Sequence, residues 1–153
     1  MASGTDPLQT VLTILSTDWT AANTNSKTPK FTKITGDGAN NDLFKRVDYN
    51  VNQDWILAQR SRPDFKNSGI GSANKHEKDI FELDIRVKGY NQEAHYLNVV
   101  EEVKRVLATN QANPSANYQL LEFEGNAPDL SDKLHNVWRC MIPIQLTKFN
   151  ISR

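Results

Sequence analysis

The clearest periodic pattern in the chain runs from Ile80 to Lys88, where Phe81, Leu83, Ile85 and Val87 alternate with Glu82, Asp84, Arg86 and Lys88. Successive side chains of a strand point to opposite faces, so this alternation predicts one apolar face and one charged, wet face. A helical pattern follows. Leu97, Val100, Val103 and Leu107 form a stripe, with Ala94, Val99 and Val106 beside it. Glu101, Glu102, Lys104 and Arg105 fall on the expected wet face, with Glu101 and Arg105 spaced as an i,i+4 pair. Asn91 stands at the expected cap, after Gly89 and Tyr90. On this reading Leu97 lies in the core, and Leu97→Asp is expected to unfold the domain. Two strands close the pattern, Tyr118 to Glu124 and about Asn136 to Phe149. In the second, Trp138, Cys140, Ile142, Ile144 and Leu146 share a face. Pro143 lacks the amide donor that a ladder uses, which predicts an edge position or a bulge there.

The N-terminal half reads in the same terms. Asp6 can cap a helix, Pro7 suits its first position, and Gln9 stands three residues after the cap. Leu8, Val11, Leu12, Leu15 and Trp19 then make one stripe, with an end expected near Ala22. A short strand is expected over residues 30–35 and another from Leu43 to Val51. The apolar run Trp55-Ile56-Leu57-Ala58 predicts a buried strand within Asp54 to Arg60. Residues 61–78 are polar and read as a long flexible loop. The expected order is α-β-β-β-β-α-β-β in a single α+β domain over residues 1–153. A largely antiparallel sheet packs against the central amphipathic helix, with the N-terminal helix beside it or against another subunit.

Composition sharpens this picture. A chain of 153 residues suits one domain and can bury roughly 68–70% of its unfolded surface. Lys+Arg and Asp+Glu are both 18, which argues against coating DNA or a membrane by bulk charge and leaves little repulsion against self-association. Cys140 is the single cysteine, so an internal disulfide and a Cys-rich zinc site are both excluded. The apolar stretch from Leu8 to Trp19 carries polar residues with no basic residues before it, which fits neither a signal peptide nor a membrane span.

Candidate chemistry is sparse. The glycines of Ser68-Gly69-Ile70-Gly71-Ser72-Ala73-Asn74-Lys75 lack the spacing and the strand-to-helix context of a phosphate-binding loop. His76, His95 and His135 fit no metal-ligand spacing, and His95 reads as a packing residue beside apolar positions. Glu82 and Asp84 share a strand face, but Arg86 and Lys88 beside them predict a salt-bridged surface. Cys140 is expected to be buried and inert. No catalytic, cofactor-binding or metal-binding residue is assigned, and no enzymatic activity is expected. The residues expected to touch partners are Arg60, Arg62, Lys66 and Lys75, in and beside the 61–78 loop, and Trp19, an aromatic suited to an interface. Two other classes stay open: a small-molecule or nucleotide-binding domain using that loop as a lid, and a nucleic-acid-binding module using its basic residues.

The layout from Asp79 to Phe149 resembles the tail-terminator and tail-completion proteins of tailed bacteriophages and related archaeal viruses. The segments that carry the resemblance are FELDIRVKG, the helix NQEAHYLNVVEEVKRVLAT, the strand YQLLEFEG and the closing strand NVWRCMIPIQLTKF. The resemblance lies in the pattern of elements. It implies a structural virion protein that forms a ring, commonly a hexamer, joining the tail tube to the neck or head. The implied partners are further copies of the chain, the tail tube protein, neck or head-completion proteins, and DNA in the ring lumen. The implied place is the virion, after assembly in the host cytoplasm. No cofactor, membrane partner or catalytic residue comes with the resemblance.

Overall fold

The structure, a computed structural model, describes residues 6–34, 54–60, 75–125, 129–132, 134 and 136–150. Helix α1 spans Pro7–Asp18. Asp6 starts it: its Oδ1 accepts from the backbone N–H groups of Leu8 at 3.1 Å and Gln9 at 3.4 Å. These are donors that the first turn of a helix leaves without partners. The helix ends at Asp18, not near Ala22, and Ala21–Thr24 forms a separate 3-10 turn. Asn25 closes that turn in the left-handed conformation, with φ 57°. The stripe of Leu8, Val11, Leu12 and Leu15 is buried, as its spacing requires.

Five strands form one sheet: β1 (Lys30–Ile34), β2 (Trp55–Arg60), β3 (Lys75–Lys88), β4 (Leu120–Phe123) and β5 (Val137–Asn150). Their order is β1-β2-β3-β5-β4. The β1–β2 pair is parallel and the other pairs are antiparallel. Helix α2 (Glu93–Thr109) lies across one face of this sheet, with α1 beside it over β1 and β2. The architecture is therefore α+β with a mostly antiparallel sheet, and the described elements follow the expected order. The strand expected from Leu43 to Val51 lies outside the described residues.

The core sits between α1, α2 and that sheet face. Phe81, Leu83, Ile85 and Val87 from β3 meet Cys140, Ile142, Ile144 and Leu146 from β5. Val99, Val103, Val106 and Leu107 of α2 close the cluster from above. All of these residues are almost fully buried.

Several local expectations change. Residues 75–78, taken as the end of a loop, are the first rungs of β3, paired with Asn150 to Thr147 of β5. Asn91 does not cap α2. It takes a left-handed conformation in the turn, with φ 56°, and Gln92 holds the cap position without a side-chain bond. Leu97 is 53% exposed, because α2 turns His95, Tyr96 and Glu102 inward. The apolar stripe is thus centred about one helical step away from Leu97. Arg105 pairs with the buried Glu102, and it is Lys104 that reaches Glu101.

The charged face of β3 is not wet along its length. Asp84 and Arg86 are buried, opposite Leu57 and Trp55 of β2, which are also buried. Alternation reported two faces with different chemistry, and both are covered at this point. Pro143 also departs from the edge expectation, since β5 pairs with β3 along its whole length and with β4 from Ile144 onward. The Pro143 carbonyl accepts from Glu124 N at 3.2 Å, so this residue turns its backbone groups towards β4. β4 ends at Phe123, beside the point where the ladder would need the donor that proline lacks.

Phe81→Ala is expected to remove about 3–5 kcal/mol, since the ring is enclosed and its loss leaves a cavity. Leu97→Asp is expected to stay within about 1 kcal/mol of the parent, as exposed substitutions do. Urea denaturation measures both, and a Leu97→Asp chain that fails to fold would contradict this placement.

Candidate functional site

Three polar clusters lie inside the fold, and each joins elements distant in sequence. The first is centred on His95 in the first turn of α2. Its Nε2 meets the Asp54 carboxylate just before β2, and its Nδ1 lies 2.8 Å from Asn25 Oδ1. Asn98 Nδ2 donates to that same amide oxygen at 3.3 Å, which fixes the direction of the Asn25 side chain. Both ring nitrogens are therefore engaged by oxygen atoms of other residues. A His–carboxylate pair is half of a nucleophile-activating triad. Here the second nitrogen is already engaged and the residue is buried, so the ring holds no site for a substrate proton.

The second cluster surrounds Asp84 at the centre of the sheet. Arg139 approaches it in a bidentate manner, with Nε at 2.9 Å from Oδ1 and Nη2 at 2.9 Å from Oδ2. Arg86 Nε donates to Oδ2 at 3.1 Å. Arg86 and Arg139 are cross-strand partners, so two guanidiniums of adjacent strands close on one carboxylate. Such an arrangement offsets the cost of burying its members, and its contribution is register more than net stability.

The third cluster locks α1 to α2. Glu102 accepts from Thr20 N at 2.7 Å, from Asn23 Nδ2 at 2.9 Å, and from Arg105 Nε and Nη2, each at 2.7 Å. Arg105 also donates to the Asp18 carbonyl at 2.8 Å, beside the end of α1. The Arg105 hydrogen bonds, with those from Thr20 and Asn23, hold the Glu102 carboxyl down to about 2, against the opposing effect of burial.

Cys140 is buried on the apolar face, as expected. Burial pushes its thiol pKa up, and it also pushes up that of the neighbouring Tyr96 hydroxyl. A thiol held in its neutral form is a poor nucleophile. Among the described residues, no group of three His, Cys, Asp or Glu side chains converges to hold a metal ion. An open groove of about 370 Å³ runs between α1 (Asp6, Gln9, Thr10, Thr13, Ile14) and Pro114–Ser115. Its one carboxylate, Asp6, already caps α1 and pairs with Lys33 Nζ at 2.5 Å. These groups are occupied with holding the chain together.

The surface has a different character at one end of the β3–β5 ladder. Lys88 pairs with Val137 there, Gly89 N donates to the Asn136 carbonyl at 2.9 Å, and Asp132 bridges to Val137. The turn that carries Tyr90 and the segment that carries Leu130 and Leu134 are thereby brought together. Tyr96 stacks on Trp138 with ring centroids 6.2 Å apart, which lays the first turns of α2 over the same end. Leu97 follows Tyr96, one step outward. Tyr90, Leu97, Leu130 and Leu134 are all exposed, and they are four of the five large hydrophobic residues exposed among the described residues.

The residues expected to touch partners are described only in part. Arg60 ends β2 and Lys75 begins β3, while Arg62 and Lys66 lie outside the described residues. Trp19 is half-buried after α1, set edge-on to Phe31 at 5.6 Å, with its indole N–H donating to Thr24 Oγ1 at 3.1 Å. Sequence reasoning did not single out Tyr90, Leu130 or Leu134, because isolated apolar residues in turns carry no period. Their polar surroundings in sequence were the available signal, since an apolar residue in a polar turn has no local reason to be there.

No protein-family model and no curated protein matches this chain. Among the described residues, no helix is long and apolar enough to cross a membrane.

The depressed Glu102 carboxyl makes stability depend on acid. Its folded-state pKa lies below the ordinary 4.5, so its contribution is present above about 4.5 and is lost as pH falls through about 2. The shift corresponds to on the order of 3 kcal/mol. Glu102→Gln is expected to lose roughly 2–3 kcal/mol at neutral pH and to show a flatter acid limb in urea denaturation. An unchanged acid limb in that variant would contradict the role given to Glu102.

Proposed function

We propose that this protein is a structural subunit of a virion that closes into a ring, in the manner of a tail terminator or tail-completion protein joining the tail tube to the neck or head. The observation that carries this reading is the contrast between interior and surface. The charged and nucleophilic side chains described above are committed to internal contacts, whereas Tyr90, Leu97, Leu130 and Leu134 are exposed on segments near one end of the β3–β5 ladder. Large apolar side chains left in water are favoured places for subunit contacts. The α+β architecture is consistent with the resemblance in element order. A formal charge of zero leaves association unopposed by net repulsion.

A ring needs a heterologous contact that closes, so the subunit number is fixed by the rotation between neighbours. On this reading Arg62 and Lys66 contribute contacts to neighbouring rings or to DNA in the lumen. Purified protein is expected to appear as closed rings of uniform size by electron microscopy, and to bind the end of tail tubes that lack it. Reversing the charges of Arg62 and Lys66 together is expected to leave folding intact and to reduce tube binding. Discrete particles that neither close into rings nor bind tubes would remove the reading, and normal binding by the double variant would remove the role of those two residues.

A further inference from the structure

We draw no further inference here: the strongest candidate, the outer edge of β1 at Phe31 and Lys33, where the sheet ends, carries nothing because nothing in the structure shows what covers it.

Discussion

The antiparallel ladder between β3 and β5 holds the two 14-residue strands in one register, and nearly every other feature is positioned by it. It sets Phe81 beside Ile144 and Ile85 beside Cys140 on the face that α2 covers. It sets Arg86 opposite Arg139 on the other face, where both guanidiniums reach Asp84. A slip of one residue would exchange these faces, moving the arginines into the apolar core and Phe81 and Ile85 out of it. The buried Asp84 cluster therefore acts as a register pin: its geometry is satisfied in one pairing alone. The same ladder ends at Lys88 and Val137, and so determines which turns come together at the apolar end.

The helices are fastened by side chains more than by sequence neighbours. Glu102 draws the chain after α1 onto α2, and His95 draws in both Asn25 and Asp54. These contacts span between 70 and 82 residues from α2 to the turn after α1. Their chemistry is that of a catalytic site and their use is mechanical. A histidine with both ring nitrogens engaged and a glutamate that accepts four hydrogen bonds are groups already committed to partners within the fold. The reactive-looking residues are thus part of the scaffold.

Much of the fold was legible because its elements are strongly periodic. The alternation in β3 and β5 and the apolar spacing of α1 identified the elements and their core residues. Boundaries were less visible. Residues 75–78 look polar because they extend a two-stranded ladder beyond the core, and polarity there imitates a loop. Leu97 and Glu102 were assigned to the wrong sides of α2 because hydropathy alone gave the stripe. The long-range hydrogen bonds that make Glu102 worth burying leave no local mark in sequence. Pro143 suggests an edge position or a bulge, whereas it lies on an inner strand beside the end of β4. The exposed Tyr90, Leu130 and Leu134 were the least legible residues. They stand in turns and flanks, and topology alone brings those segments near one end of the ladder.

The central proposal is assembly through an external surface, with the polar interior left closed. Hydrogen–deuterium exchange, compared between dilute and concentrated protein, tests that directly. Association is expected to slow exchange at the backbone amides around Tyr90 and from 129 to 132. Amides around Asn25, Asp54 and His95 are expected to exchange equally in both samples. Protection that appears around Asn25, Asp54 and His95 while the Tyr90 and 129–132 segments stay unchanged would contradict this proposal.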